Sequence, residues 1–404
     1  MKNIWVINMT AGTPNSGWGE RHYYFSKFWV KKGYKVNIIS GSYNHLFHTQ
    51  PTINNDKNFT LQEIEEGITF CWVKIPKYDG GSIYKLWSMI VFAIKVLFLK
   101  EKLLGAPNSI IVSSMPIFPI ISGWYLKKKL KASQLFFEIR DLWPLTPMYL
   151  SGYSKYHPIV VLMRWIEKFG YRKSDYIISL LPNAHHYINP ISKKPEKFVW
   201  IPNGIDSSLL KNEKLPSEII DKIPTDKFIV GYTGTMGMAN ALEYLVEASQ
   251  LLKNDKSIHF IMVGDGYLKD ELVDATKKQQ NITFIPKIKK NQVQDMLHYF
   301  DVCFVGRNNT PLFDYGVSSN KFFDYMLANK LIISSSNKIK DPVELSGCGY
   351  VVKPESPIAI KEAIIKIKSL SNTDKKMMEE KGYNYVLENH NFNYLSDLYL
   401  KLFK

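Results

Sequence analysis

The sequence predicts an α/β protein of two Rossmann-like, doubly wound domains facing a central cleft. Three observations carry this prediction. Short β-rich runs alternate with helical patterns along the 404 residues, the pattern of parallel sheets joined by crossover helices. The pattern restarts in the second half. Each half also opens alike, a strand running into a glycine-bearing loop and then a helix: Gly12, Gly17 and Gly19 in one, Gly231, Gly234 and Gly237 in the other. Such tandem units bind ligands at the carboxyl ends of their strands.

In order, the first half predicts strands at 3–8, 35–40, 69–73, 109–112, 134–138, 176–179 and 198–201. The second predicts 228–233, 258–263, 282–285, 302–305, 331–334 and 350–352. Helices fit between them, as at 241–252, where Leu242, Leu245, Val246 and Ala248 recur at helical spacing. Pro202-Asn203-Gly204-Ile205-Asp206 and the polar stretch up to Asp226 mark the boundary. The domains are thus 1–205 and 206–387, and a final helical segment, 388–404, is compatible with packing back on the first.

Composition narrows the class. With 45% hydrophobic residues the chain is not a disordered one. Three scattered cysteines exclude a disulfide scaffold and a zinc ribbon, and suit a reducing compartment. The net charge is +15, distributed unevenly. Residues 1–200 hold 26 Lys+Arg and 12 Asp+Glu, whereas the remainder holds 26 and 25. The first half is therefore expected to face something anionic: a phosphorylated lipid, a membrane surface or a nucleic acid. An AT-biased, lysine-rich proteome is the plainer source of basic charge, but it would affect both halves alike.

No segment reads as a signal peptide. The longest apolar run, Leu86–Leu99, contains Lys95 and is too short for a confident span. On a helix, Lys85, Ser88, Lys95 and Lys102 form a narrow polar stripe. Two readings stay open: an interfacial helix with Trp87 in the bilayer surface and lysines reaching lipid phosphates, or a buried domain helix with snorkelling lysines. Lys127, Lys128 and Lys129 would add electrostatic attraction.

Three constellations carry chemistry. Glycine lets backbone N–H groups approach an oxyanion, and a following helix N-terminus adds a favourable dipole. Gly17-Trp18-Gly19-Glu20-Arg21 and Gly231-Tyr232-Thr233-Gly234-Thr235-Met236-Gly237 are such loops. Neither matches the dinucleotide fingerprint. Glu138-Ile139-Arg140-Asp141-Leu142-Trp143-Pro144 follows a strand, and its Arg–Asp pair reads either as part of a site or as a structural pair. In Gly316-Val317-Ser318-Ser319-Asn320-Lys321-Phe322-Phe323-Asp324, a serine N-cap precedes Lys321 and Asp324 in the first helical turns. Free N–H groups plus Lys321 suit a diphosphate, and Asp324 suits ribose hydroxyls. An ordinary capped helix is the alternative.

Together with Gly264-Asp265-Gly266, these runs in this order resemble the family 4 glycosyltransferases over nearly the whole chain. The chain is most similar to bacterial enzymes of O-antigen and capsule assembly, including N-acetyl-L-fucosamine transferases. The resemblance implies a GT-B fold and retaining transfer from a nucleotide sugar, without a required metal or other cofactor. It puts the donor in the second domain and the acceptor in the first. Of the family's acidic pair, the second member falls on Asp324, implied to bind ribose, and the first on Gly316, which has no carboxylate. Backbone groups of 316–319 are then expected at the donor sugar. The family's cations after the first donor-domain strand are absent from 236–240, and Lys321, Arg307 and Lys287 are the expected substitutes. The nucleobase is expected near Ile285, Pro286 and Lys287. Arg140-Asp141 stands where many relatives have His-Asp, so Asp141, Arg140, Glu138 and Lys321 form the expected catalytic set. Asp141 would be a positioning group. Gly17, Gly19, Gly234, Thr235 and Gly264 would line the donor.

The residues agree with metal-independent transfer. There is no Asp-x-Asp triplet, and His185-His186 are expected to point apart. Cations and helix N–H groups can neutralise a departing diphosphate. The expected acceptor is a polyprenyl-diphosphate-linked saccharide, met by a basic first domain on the inner face of the cell membrane. Arg21, Trp87, Lys95 and Lys127–Lys129 are the expected acceptor or membrane residues. Two other classes remain: a nucleotide-sugar 2-epimerase, and a membrane or nucleic-acid binding module. Nucleic acid is disfavoured, since the basic excess is mostly lysine and no RNP-like motif occurs.

Overall fold

The computed structural model describes residues 2–78, 83–206, 213–337 and 340–404. Residues 207–212, part of the expected boundary stretch, lie outside the described ones. The chain divides into one unit of Met1–Asn203 with Phe392–Lys404 and a second of Gly204–Asn391.

The first unit holds β1 (Lys2–Ile7), β2 (Tyr34–Gly41), β3 (Phe59–Glu65), β4 (Ile68–Val73), β5 (Ser109–Ser113), β6 (Gln134–Ile139), β7 (Tyr176–Ser179) and β8 (Phe198–Trp200). Its helices are α1 (Arg21–Lys31), α2 (Ile83–Leu97), α3 (Glu101–Leu104), α4 (Pro119–Lys129), α5 (Leu145–Ser151), α6 (Pro158–Lys173) and α7 (His185–Ser192). The sheet runs β3-β4-β2-β1-β5-β6-β7-β8. All pairings are parallel except β3 with β4. β3 is absent from the sequence pattern because its residues stay largely exposed at the sheet edge and so lack an apolar face to read.

The second unit holds β9 (Phe228–Thr233), β10 (Ile258–Val263), β11 (Ile282–Ile285), β12 (Val302–Gly306), β13 (Leu331–Ser335) and β14 (Gly349–Val352). With them come α8 (Ser217–Ile220), α9 (Glu243–Leu251), α10 (Lys269–Ala275), α11 (Val293–His298), α12 (Asn320–Leu327), α13 (Pro342–Ser346), α14 (Pro357–Ser369) and α15 (Asn372–Asn389). The sheet is wholly parallel in the order β11-β10-β9-β12-β13-β14, the doubly wound arrangement. The last helix, α16 (Phe392–Leu400), belongs to the first unit.

Side-chain alternation along β6 builds the first unit's two cores. Phe136 meets Tyr399 of α16 and Phe403 just past it, and α16 in turn packs on α1 through Phe25, Trp29 and Tyr399. Phe137 points the other way, to Tyr171 and Gly170 of α6. On that face α4 packs over β5 and β6 and touches both α2 and α6. In the second unit, one layer forms around Phe300, Phe322, Phe323 and Tyr325, the opposite one around Tyr232, Leu245, Phe260 and Ile364.

Candidate active site

In the second unit the strand order reverses between β9 and β12, where open α/β sheets take their ligands. β9 ends at Thr233, and Gly234 follows with φ +142°. A Cβ there would fall 2.5 Å from Lys321 Cε. Glycine thus lets the lysine lie against the loop. Gly264, after β10, is tighter: a Cβ would stand 1.9 Å from the Gly234 carbonyl oxygen. The Met236 N–H donates to the Asp265 carbonyl at 2.8 Å, tying the two loops together.

Lys321 projects from the first turn of α12. Its Nζ donates to Asn240 Oδ1 at 3.0 Å and lies 5.4 Å from the Tyr232 ring centroid. Burial, helped by the Arg307 guanidinium, pushes the ammonium pKa down to about 8, while Asp324 pulls it up. The helix is pinned to β9 by Tyr325, whose hydroxyl accepts from the Thr233 N–H at 3.0 Å. Ser319 is the extended N-cap, but its side chain makes no capping bond, so the first N–H groups of α12 lack that cap. Asn320 is exposed, and Asp324 is half-buried one turn beyond Lys321.

The remaining donor candidates lie around this centre in sequence. Arg307 follows β12, its guanidinium 5.2 Å from the Phe313 ring centroid and 5.9 Å from that of Phe322. Gly316 is buried and donates its N–H to the Phe313 carbonyl at 3.0 Å, while Val317 and Ser318 are half-buried. Ile285 is buried at the end of β11, with Pro286 and Lys287 exposed after it. Thr235 is exposed, and its carbonyl accepts from Tyr232 Oη at 2.6 Å and Asn240 Nδ2 at 2.9 Å. Sequence reasoning missed Asn240 and Tyr325. A search for cations could not find them, because both act through hydrogen bonds to groups far along the chain.

The first unit corrects several expectations. Glu138 is fully buried. It accepts from Arg21 Nε at 3.1 Å, Ser113 Oγ at 2.9 Å and Tyr399 Oη at 2.5 Å, with His22 Nε2 3.1 Å away. Burial works against its charge, but Arg21, His22 and the hydrogen bonds hold its pKa well below the usual carboxylate range. Burial lowers that of His22. So occupied, Glu138 leaves the catalytic set and becomes a support. Arg21 is likewise no membrane or acceptor cation. Its guanidinium is buried and also donates to the Ile201 and Pro202 carbonyls and Asn203 Oδ1. The Gly17/Gly19 loop closes on itself through the Gly12 N–H and the Gly19 carbonyl, 3.1 Å apart, and its expected terminal cation points inward.

Arg140 and Asp141 follow β6. The Arg140 N–H donates to Ser114 Oγ at 2.9 Å. Its Nη1, like Trp143 Nε1, is buried with no hydrogen-bond partner among the described residues. Asp141 is half-buried and interacts electrostatically with Arg140. Of the expected membrane lysines, Lys95 donates to the Lys74 carbonyl at 2.8 Å, and Lys127 pairs with Asp175. Both are committed inward, whereas Lys128, Lys129 and Trp87 are exposed. The rings of His185 and His186 do not point apart but approach to 4.0 Å. Among the described residues no group of three or more His, Cys, Asp or Glu is placed to hold a metal ion, and no helix is long and apolar enough to cross a membrane.

Comparison with known proteins now bears on the second unit directly. Residues 227–369 match the family model "Glycosyl transferases group 1". Over these residues the second unit is similar to a group 1 glycosyltransferase domain. That domain spans β9 to α14 and so contains Gly234, Lys321 and Asp324. Among curated proteins the chain is 22% identical to the probable glycosyltransferase WbjE of Pseudomonas aeruginosa over 238 residues, 56% of this chain and 58% of that protein. It is also 22% identical to the putative colanic acid biosynthesis glycosyl transferase WcaI of Escherichia coli K12, over 63% of this chain and 64% of that protein. The chain thus matches about three fifths of the length of these relatives. Among solved structures it resembles sucrose-phosphate synthase from Thermosynechococcus elongatus (TM-score 0.75, 16% identity, 100% and 99% of the two chains). It also resembles Anabaena HepE, solved with UDP and glucose (TM-score 0.69, 13% identity, 100% and 99%). The fold is GT-B, two parallel-sheet α/β domains.

Proposed function

We propose that the chain is a retaining glycosyltransferase that moves a sugar from a UDP-sugar to a lipid-diphosphate-linked saccharide in O-antigen or capsular polysaccharide assembly. An N-acetylated or deoxy amino sugar is the proposed cargo. The observation that carries the reading is the Lys321 ammonium, held against the Gly234 loop at the start of α12, where the strand order reverses. A cation and a helix N-terminus together suit a departing diphosphate and stabilise charge that grows as the sugar–phosphate bond breaks. The HepE structure was solved with UDP and glucose, and the name of WcaI places it in colanic acid biosynthesis; both support the substrate class.

The roles follow from position. Lys321, with Arg307 and Lys287, neutralises the diphosphate without a metal. Asp324 accepts from ribose hydroxyls, and the base lies by Ile285, Pro286 and Lys287. Backbone groups of Gly316, Val317 and Ser318 meet the sugar, beside Gly234, Thr235 and Gly264. In the first unit Asp141 and Arg140 position the acceptor. The acceptor hydroxyl attacks on the face the diphosphate leaves, and the departing phosphate oxygen takes its proton. The protein acts at the inner face of the cell membrane. The named relatives are glycosyltransferases, which disfavours the 2-epimerase alternative.

The test is a calorimetric panel of UDP, GDP and dTDP with the parent chain and with Lys321→Ala. UDP binding that weakens about 10- to 100-fold in the variant is expected from loss of a charge-assisted contact. Unchanged affinity would remove Lys321 from the site. Epimerised UDP-sugar formed without acceptor would favour the isomerase.

A further inference from the structure

Of the polar stripe of α2, Ser88 and Lys95 face inward, which fits a domain helix on that side rather than lysines reaching outward. Ser88 is buried and donates to the Pro76 carbonyl at 2.8 Å, and Lys95 is turned to the Lys74 carbonyl. The outward stripe is apolar: Tyr84, Trp87 and Ile94, then Phe98 just past the helix end, all exposed. A helix on a water-facing surface shows the reverse polarity.

The same polarity recurs two helices away. α6 buries Val160, Met163, Ile166 and Gly170, and presents Val161, Leu162 and Trp165 outward, with Trp165 58% exposed. Trp165 stacks on Phe169 at 6.0 Å, and Phe169 meets Trp124 of α4 edge-on at 5.4 Å. An aromatic row therefore links α6 to α4, and α4 to α2 through Ser122 Oγ, which donates to the Ala93 carbonyl at 2.7 Å. Before α6, Tyr153 and Tyr156 are exposed, the latter to 76%. Exposed apolar groups at this density mark a contact surface.

Charge identifies the partner. Arg164, Lys168 and Arg172 recur every four residues along α6, all exposed, and Lys128 and Lys129 stand on α4. Across α2, α4, α5 and α6 the only acidic residue is Glu167. It is buried, takes hydrogen bonds from Tyr171 at 2.9 Å and Tyr187 at 2.8 Å, and burial pushes its pKa up to about 8. Aromatic side chains interleaved with unopposed cations match the headgroup layer of an anionic bilayer.

We propose that the outer face of α2, α4 and α6, with the Tyr153–Tyr156 approach, docks the first unit flat on an anionic lipid bilayer. The proposal rests on the lipid-linked acceptor for its purpose and deepens that reading by assigning the face, α6 included. Trp87 and Trp165 are the interfacial anchors, and Arg164, Lys168 and Lys129 the phosphate contacts.

Co-sedimentation of the full chain with vesicles tests this, using phosphatidylcholine with phosphatidylglycerol against phosphatidylcholine alone. Binding is expected only to the anionic vesicles, and to weaken as salt rises. Arg164→Gln/Lys168→Gln is expected to lower the partition roughly 30-fold, at about fivefold for each cation lost near the surface. Trp165→Ala should also weaken it, with melting temperature and UDP affinity unchanged in both variants. Partition equal to the parent's in the α6 variants would overturn the proposal. So would concentration-dependent self-association that Trp165→Ala abolishes, since a second copy would then cover the face. Failure of the parent to bind UDP would defeat the transferase reading alone, leaving vesicle binding to decide the docking face.

Discussion

At Lys321, burial and the Arg307 guanidinium both work against the ammonium, which titrates near pH 8 instead of above 10. Under the proposed function, the free energy this costs the empty protein is recovered when the diphosphate binds, an exchange of stability for function. Lys321→Met should therefore raise the melting temperature of the unliganded chain at pH 7 while weakening UDP binding. A lower melting temperature would show that the lysine holds the loop together instead. The pH dependence has a definite sign. Folding lowers this pKa, so between about 8 and the ordinary lysine value the unfolded chain binds more protons, and stability at this group rises with pH. If Lys321 meets the diphosphate as proposed, a titration of UDP affinity against pH is expected to run the other way, falling as pH rises through about 8. Glu138 is the opposite case. Its pKa is depressed by folding, so its contribution is present above the ordinary glutamate range and is lost only as pH falls well below it. Glu138→Ala leaves Arg21 buried beside an empty place, and should cost about 3–5 kcal/mol in a denaturant titration.

Among the elements, α12 and β9 act as one piece. Tyr325 ties the helix to the strand end, and Gly234 keeps the approach of Lys321 open. Tyr325→Phe removes the hydroxyl that accepts from the Thr233 N–H and Oγ1 and donates to the Thr233 carbonyl; leaving that N–H buried and unpaired should cost about 1–3 kcal/mol and weaken UDP binding along with stability. Gly234→Ala forces a side chain into a positive-φ turn against Lys321, and thermal-shift titration should show lost UDP response with a cooperative transition retained. What was legible at this scale depended on locality. The parallel strands could be read because both their faces are buried, giving continuous apolar runs. The placement of Lys321 and Asp324 at the start of a helix was legible because a serine N-cap and both residues lie within a few positions of one another. Asn240, Tyr325 and the inward commitment of Arg21 were not, since each depends on a partner some 80 residues or more away in sequence. The orientation of α2 stayed open in the sequence for a related reason: the residues give the width of its polar stripe but not which side the sheet occupies.

Over the whole molecule, the uneven charge and the uneven apolar exposure coincide. The basic half carries the outward aromatic helices, while the second half is nearly neutral. The two-unit plan was legible in the sequence because both units open with the same strand, glycine loop and helix. The topology goes further: α16 completes the first unit after the chain has built the whole second one. Its Tyr399 and Phe403 cover Trp29 and Phe136 and supply a donor to Glu138. Removing residues 392–404 should therefore abolish cooperative melting of the first unit, with the second unit still unfolding as a unit in calorimetry.

That late closure has a consequence during synthesis. The first unit leaves the ribosome early, but its α1 face stays uncovered while residues 204–391 are made. At about 5–20 residues per second this delay is roughly 10–40 s. Throughout it, Phe25, Trp29 and Phe136 offer a nascent aromatic surface that holdase chaperones can occupy, and the first-made half of the protein matures last.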